Sequence, residues 1–298
     1  MLHSTFSGYY KLIVTNLNGN KCETDWFDNL ITNTGLDLLA NGFSPRIWVG
    51  TGNTTPTFTD TTLSGTILGS TTNGTGSPSS TGVNNTVLPY YSYYIMTSTF
   101  NVGAIIGTIK EVGIGVGTES TITNLFSRVL INNGNGISLT SADQLQVVYQ
   151  LRRYIPQNDV NFTLNVNGID LNCIARPNYI NSYWTPSLVQ GIGIFLDYCS
   201  AYTGVFSSNI FNTHPTGTEK RATSGANLTY NNGTYERYFR LEWSPASGSF
   251  TTTIVRISGL GWSLWASPRY QFSIDPGIAK TNLQTLRIEG KFTWGRYS

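Results

Sequence analysis

Residues 49–63, VGTGNTTPTFTDTTL, combine glycines, a proline, an aspartate and several threonines directly after an apolar run. Such a segment could be a phosphate-binding loop, a catalytic turn or a rigid corner. A dinucleotide-binding loop needs a further glycine opening a helix, but NTT follows Gly52 at residues 53–55. A Walker loop needs Gly-Lys-Ser/Thr, but no lysine occurs between Lys21 and Lys110. We therefore interpret residues 49–63, called the corner segment below, as structural.

The structural interpretation gives each distinctive residue of the corner segment a role. Gly50 and Gly52 are expected to adopt backbone angles that other residues avoid. Pro56 fixes one dihedral angle and is expected to start a turn. Asp60, flanked by threonines, is expected to accept hydrogen bonds from nearby backbone N–H groups. Leu63 is expected to return the chain to the core.

Nucleophilic, metal and cofactor chemistry find little support in the sequence. The histidines are His3 and His214, and no serine lies in a Gly-x-Ser-x-Gly motif. The cysteines Cys22, Cys173 and Cys199 have no Cys-x-x-Cys spacing and are expected to be reduced, mostly buried thiols. The sequence therefore predicts no catalytic residue, no metal and no cofactor.

Glycoside hydrolysis needs only two carboxylates, so it is harder to set aside. Glu236 and Glu242 lie in the predicted strand YERYFRLEW, on the same polar face. Arg237 and Arg240 belong to the same strand. We interpret the two glutamates as ion-paired surface residues, and a glycan-cleaving enzyme stays a third hypothesis.

Three tryptophans are candidates for a binding surface. Trp262 and Trp265 lie close together in GLGWSLWASPRY, and Trp184 lies in NSYWTPS. Large aromatic side chains anchor subunit interfaces, and they also stack on sugar rings. We favour the core or an interface and keep a glycan site as the alternative.

The composition points to β structure covered by neighbouring protein. Charged residues make up 11% of the chain, against about 25% in a typical soluble domain. Residues 61–109 include no charged residue, and the net charge is +2. No cluster of Lys and Arg suggests nucleic acid, and no apolar run approaches the ~20 residues that cross a membrane. The N-terminus has no signal-peptide pattern, so we expect folding in a cytoplasm.

The hydrophobic patterns predict an all-β fold, an antiparallel sandwich or jelly-roll-like structure with one short helix. The helix is expected at about residues 30–41, capped by Thr32 or Thr34 and ended by Asn41-Gly42. Strands are expected elsewhere; the clearest alternates apolar Leu286, Ile288, Phe292 and Trp294 with charged residues.

Two β domains are possible, with a boundary near Pro156. Residues 1–156 would hold the helix and a polar loop at about 69–87. Residues 157–298 would hold an irregular insertion at about 176–234. One domain with a long insertion stays open as well.

Several stretches, taken in order, resemble virion proteins of tailed bacteriophages, usually described as tail, collar, neck, baseplate or fibre-attachment proteins. They are NLITNTGLDLLA, VGTGNTTPTFTDTTL, KEVGIGV, LFSRVLI and LTSADQLQVVYQL, followed by the C-terminal FSIDPGIAKTNLQTLRIEGKFTWGR. The resemblance covers the first half of the chain and its last thirty or so residues.

The resemblance implies a non-enzymatic, homo-oligomeric β protein that contacts other virion proteins and is assembled in the cytoplasm of the host bacterium. Residues 176–267 carry no resemblance. The alternative hypothesis is therefore a receptor-binding module that uses this region and its tryptophans to recognise host surface glycans.

Overall fold

The computed structural model describes residues 2–72, 80–154, 156, 158–178, 188, 191–193, 199–206, 215–258 and 269–297. Strands hold 57% of the residues and helices 6%, which confirms the predicted all-β class. The helix α1 spans Asn33–Asn41, and two short 3-10 helices span Ile131–Gly134 and Pro245–Ser247.

The described part of the chain contains twenty-two strands. In chain order they are β1 (Leu2–Thr15), β2 (Lys21–Glu23), β3 (Phe27–Asp28), β4 (Leu30–Ile31), β5 (Arg46–Gly50), β6 (Ile67–Thr72), β7 (Ser80–Asn84), β8 (Tyr91–Thr99), β9 (Gly107–Ile109), β10 (Glu111–Gly117), β11 (Ile122–Leu130), β12 (Ile137–Leu139), β13 (Gln144–Tyr154), β14 (Val160–Val166), β15 (Ile169–Asn178), β16 (Ser200–Tyr202), β17 (Glu219–Arg221), β18 (Ser224–Asn227), β19 (Glu236–Trp243), β20 (Phe250–Ser258), β21 (Arg269–Lys280) and β22 (Leu286–Arg296).

These strands form four sheets. The nine-stranded sheet has the order β18-β19-β22-β1-β13-β8-β7, with β2 and β3 also pairing with β1. The five-stranded sheet has the order β4-β11-β10-β5-β6, and the six-stranded sheet has the order β14-β15-β21-β20-β16-β17. A small sheet pairs β12 with β9. The strand pairs of the described part are antiparallel, except for β1 with β22.

The two ends of the chain meet in the nine-stranded sheet. Residues 2–6 of β1 pair in parallel with residues 292–296 of β22. The sheet therefore holds strands from both sides of Pro156, where the sequence predicts a boundary between residues 1–156 and 157–298. The six-stranded sheet is built only from residues that follow this position.

The helix begins later than the sequence predicts. Leu30 and Ile31 form β4 and pair with β11, so the helix starts at Asn33 rather than near residue 30. Of the two predicted caps, Thr32 is the one used, because its Oγ1 accepts a hydrogen bond from the Gly35 N–H at 2.9 Å. Gly42 ends the helix with a left-handed φ of 73°.

Two segments that the sequence predicts as irregular contain strands. The polar loop predicted at 69–87 contains the end of β6 and the whole of β7. Thr, Ser and Val residues there complete backbone ladders, β6 with β5 and β7 with β8. The insertion predicted at 176–234 holds β16, β17 and β18, which pair with neighbouring strands. Residues 73–79 and much of 179–214 lie outside the described residues.

Candidate functional site

A fully buried carboxylate closes the corner segment. Glu111, the first residue of β10, is 0% exposed. Its Oε1 accepts hydrogen bonds from the backbone N–H groups of Gly52 at 2.9 Å and Gly65 at 2.8 Å. Its Oε2 accepts from the N–H and the hydroxyl of Ser64 at 3.0 and 3.2 Å. One side chain therefore holds the start of the corner segment, and the two residues that follow its end, against β10.

A buried arginine completes this arrangement from the adjacent strand. Arg128 of β11 is 2% exposed, and its Nε donates to Glu111 Oε2 at 2.7 Å. Its Nη1 donates to Asp60 Oδ2 at 2.5 Å. Its Nη2 donates to the carbonyl of Thr54 at 2.6 Å and to Ser64 Oγ at 2.7 Å. We call Glu111, Arg128, Asp60 and the loop groups that they bind the corner network.

Asp60 ties the middle of the corner segment to the network. It accepts hydrogen bonds from the Thr57 N–H at 3.0 Å and the Thr57 hydroxyl at 2.6 Å. Burial acts to raise the pKa of Asp60, but the hydrogen bonds from Thr57 and Arg128 outweigh it, so the pKa lies below its ordinary value. Asp60 is therefore an ionised partner of Arg128 at neutral pH.

The structure gives Gly50 and Gly52 a role different from the one that the sequence predicts. Neither Gly50 nor Gly52 has a φ in the left-handed region, so unusual backbone angles are not the reason for glycine here. A Cβ on Gly52 would lie 2.0 Å from Ser64 Oγ, 2.2 Å from Glu111 Oε1 and 2.4 Å from Gly65 N. Glycine is required because the backbone passes directly over the buried carboxylate.

The remaining predicted corner residues lie around the same network. Pro56 is half-buried and immediately precedes a turn in which the Asp60 N–H donates to the Thr57 carbonyl at 3.2 Å. Leu63 is 4% exposed, and its side chain lies over Gly50. The corner segment thus surrounds buried charged side chains and ends at a buried apolar residue, Leu63.

The two buried charged groups of the corner network are fully hydrogen-bonded. The Glu111 carboxylate receives hydrogen bonds on both oxygens, and all three guanidinium nitrogens of Arg128 donate. An ion pair buried in this way requires full hydrogen bonding to offset its desolvation. The arrangement fixes the geometry of the loop.

Sequence reasoning missed Glu111 and Arg128. Arg128 is the one charged residue inside LFSRVLI, and Glu111 follows Lys110 directly before the uncharged run VGIGV. A single charge in such a strand has to be paired when the strand is buried. This signal was present in the sequence, but it does not name the partner.

The other resemblance stretches meet next to this network, around α1. The Thr32 hydroxyl donates to the carbonyl of Leu125 in LFSRVLI at 2.5 Å. From the C-terminal stretch, Trp294 Nε1 donates to the Leu36 carbonyl at 2.8 Å, and Arg296 Nε donates to the Ile31 carbonyl at 2.6 Å. The C-terminal strand is therefore fastened directly to the N-terminal helix.

The stretch LTSADQLQVVYQL reaches the same region through an aromatic contact. The rings of Tyr149 and Phe126 meet edge to face, with centroids 6.3 Å apart. Phe126 also contacts Phe43, which follows the helix. All six stretches therefore contribute to one contiguous unit.

The candidate carboxylate pair on β19 is part of a surface ion-pair ladder. Glu236 pairs with Lys291 at 2.7 Å and Glu242 pairs with Arg287 at 2.8 Å. Between them, Arg240 pairs with Glu289 at 2.7 Å. Six residues of strand separate the two glutamates by about 20 Å, whereas glycosidase carboxylates lie within about 10 Å of each other. The two glutamates therefore cannot serve as one catalytic pair.

The remaining chemical candidates are dispersed. His3 Nδ1 lies 2.8 Å from Thr293 Oγ1, and burial lowers the pKa of its imidazole. Cys22 is exposed, Cys173 and Cys199 are buried, and none of the three forms a disulfide bond with another of them. Among the described residues, no three His, Cys, Asp or Glu side chains are grouped so that they could hold a metal ion.

The three candidate tryptophans, Trp184, Trp262 and Trp265, lie outside the described residues, as does His214. The choice between an interface and a glycan site at these tryptophans stays a prediction. In the described part of the chain, no helix has the length and apolar character needed to cross a bilayer.

Comparisons of the chain with models of protein families, with curated proteins and with solved structures found no match.

Proposed function

We propose that this chain is a structural component of a tailed-bacteriophage particle, at the neck, collar, tail or fibre-attachment level. It would act through contacts with other virion proteins and with copies of itself, without catalysis. It would be assembled in the host bacterial cytoplasm and reside in the virion. Neither a cofactor nor a metal takes part in this role.

The observation that carries the proposal is the convergence of the resemblance stretches. Six separate stretches, spread from residue 29 to residue 296, form one packed unit around α1 and the corner network. Residues shared because they maintain one structural unit are expected to pack together in this way. The saturated hydrogen bonding of Glu111 and Arg128 supports a scaffold rather than a reactive site.

We also propose a finer description of the fold, a sandwich of jelly-roll type. Residues of the six-stranded sheet and of the nine-stranded sheet line one largely apolar cleft of about 620 Å³. Phe162 and Phe272 line it from the first sheet, and Phe239 and Ile288 line it from the second. Packing of two sheets through such apolar faces is the arrangement found in sandwiches.

Immunoelectron microscopy of purified particles with an antibody against this chain tests the proposed function. We expect label at one fixed place on the particle, at the head–tail junction, the tail or its end. The purified chain should also leave host surface polysaccharide intact and show no binding to it. Absence of label, together with glycan binding or release of reducing ends, would replace the proposal with the receptor-binding or the enzymatic hypothesis.

A further inference from the structure

One sheet edge of this molecule lacks the usual protection. β14, residues VNFTLNV, ends the six-stranded sheet, and β15 is its single neighbour within the part of the chain that the structure describes. It is seven residues long, contains no charge and no proline, and pairs with β15 without a bulge. Exposed edges of this kind are templates for pairing with another strand.

The other edge strands of the described sheets are shorter or interrupted. β17 has three residues, all of them charged, and β18 has four exposed residues. β7 has five residues with a glycine at its centre. β6 has six residues, and its ladder with β5 is broken by a register shift. These features discourage pairing with another chain, and β14 has none of them.

The sequence of β14 is complementary to itself when read in reverse. Around Thr163 the residue types are symmetric: an antiparallel pair of two β14 strands places Val160 opposite Val166 and Phe162 opposite Leu164. On the other face, Asn161 lies opposite Asn165 and Thr163 lies opposite its own copy. Each position meets a residue of the same kind, as a twofold-symmetric contact requires.

We propose that β14 pairs antiparallel with β14 of a second copy of this chain, across a twofold axis through Thr163. The two six-stranded sheets would then continue into one another. This inference deepens the proposed function, on which it rests for the role of self-contacts, by naming the partner and the residues that meet.

Exposure of neighbouring apolar residues supports this pairing. Val160 is 43% exposed and Ile169 is 60% exposed. Ile169 is the β15 partner of Val166, and in the proposed register the second copy's Val160 lies on the other side of Val166. We call the junction between the two β14 strands the seam. Both exposed side chains would therefore belong to one row of apolar residues that crosses the seam, on the sheet face that lines the apolar cleft.

The charges beside the seam do not oppose self-association. Asp159, which precedes β14, is paired with Arg176 at 2.5 Å. On the sheet face that carries Asn161, Thr163 and Asn165, Asn165 Nδ2 donates to Asp170 Oδ1 at 2.7 Å. The charged residue nearest to the seam on that face therefore belongs to β15. Because the seam is uncharged, two identical copies meet without like-charge repulsion.

Cysteine cross-linking of the full chain tests the register. In a Cys22→Ser background, Thr163→Cys places two thiols opposite each other, with Cβ atoms about 4.5–5.5 Å apart before adjustment to disulfide geometry. We expect a disulfide-linked dimer under mild oxidation. Asn161→Cys alone should give at least tenfold less dimer, whereas a mixture of the Asn161→Cys and Asn165→Cys chains should cross-link.

Light scattering after size-exclusion chromatography tests the same contact without new thiols. Thr163→Lys should weaken the dimer by about fivefold or more, because it places two like charges opposite each other. Asn172→Lys is the matched control, since Asn172 is exposed and is the β15 partner of Thr163, one strand away from the seam. It should leave the dimer unchanged.

Two results would overturn the inference: a wild-type chain that is monomeric at every concentration, or an oligomer in which Thr163→Cys does not cross-link. Particles that contain the chain but show no cross-link at Thr163→Cys would reject the seam and leave the proposed function standing. A cross-linked chain absent from particles would support the seam and reject the proposed function.

Discussion

Glu111 and Arg128 lie on neighbouring strands but are not opposite each other. In the ladder between β10 and β11, Glu111 pairs with Leu130 and Arg128 pairs with Gly113, so the ion pair runs diagonally across one face. Arg128 Nε and Glu111 Oε2 are 2.7 Å apart, and both side chains are buried. The diagonal leaves the remaining guanidinium nitrogens free to reach Asp60 and Thr54 in the corner segment.

Glu111→Gln is expected to lower the free energy of unfolding by about 3–5 kcal/mol, because it leaves the buried Arg128 without its charge partner. Urea unfolding followed by tryptophan fluorescence measures this change. Glu289→Gln is the control, since the pair of Glu289 with Arg240 is largely exposed and should contribute less than about 1 kcal/mol. Equal effects at the two sites would contradict the role of the corner network.

Gly52→Ala is expected to destabilise the fold by about 1–3 kcal/mol, because the added methyl group overlaps Ser64, Gly65 and Glu111. Gly295→Ala is the matched control. A Cβ on Gly295 meets no atom within 4 Å, and its φ is not in the left-handed region. Thermal unfolding of the two variants should show a lower melting temperature for the first alone. A Gly52→Ala protein as stable as wild type would show that the backbone does not pass so close to the carboxylate.

Thr32→Ala is expected to cost about 1–2 kcal/mol, since it removes the helix cap at Gly35 and the bond to the Leu125 carbonyl. Thr34→Ala removes the other threonine that the sequence offers as a cap, and it should change stability by less than about 0.5 kcal/mol. Chemical denaturation of both variants compares them directly. A larger loss for Thr34→Ala would reassign the cap.

Acid is expected to weaken the corner network through Asp60. Its pKa is lowered in the folded chain, so its stabilisation is complete above the unfolded value near pH 4. The stabilisation is lost as the pH falls through the folded pKa. The difference in melting temperature between wild type and Asp60→Asn should therefore be constant from pH 7 to about pH 5 and shrink below pH 4. A difference that stays constant down to pH 2 would show that Asp60 is not stabilised as a carboxylate.

Local patterns of the sequence predicted the elements well where one face is clearly apolar. The alternation in β22 matches its burial, with Phe292 and Trp294 buried and Arg287 and Glu289 exposed. The helix was predicted with a correct end at Gly42 and a start that is too early, because pairing of Leu30 and Ile31 with β11 overrides the helical pattern. Such pairing is a tertiary contact and leaves no local signal.

The corner segment shows the same division between local and distant information. Its residues are recognisable as a turn, but Glu111 and Arg128 lie roughly fifty or more positions away along the chain from the groups that they hold. The roles of Gly50 and Gly52 were misassigned for the same reason, since the close approach becomes visible only when the carboxylate is in place. The parallel pairing of β1 with β22 likewise joins opposite ends of the chain.

Absolute quantification of this chain in gradient-purified phage particles, by mass spectrometry against a labelled standard, tests the proposed role most directly. We expect a fixed number of copies per particle, greater than one and a multiple of two if the seam at Thr163 forms in the particle. The number should survive washing in high salt. Particles that lack the chain, or that carry a variable amount removed by the wash, would contradict the proposal that it is a virion subunit.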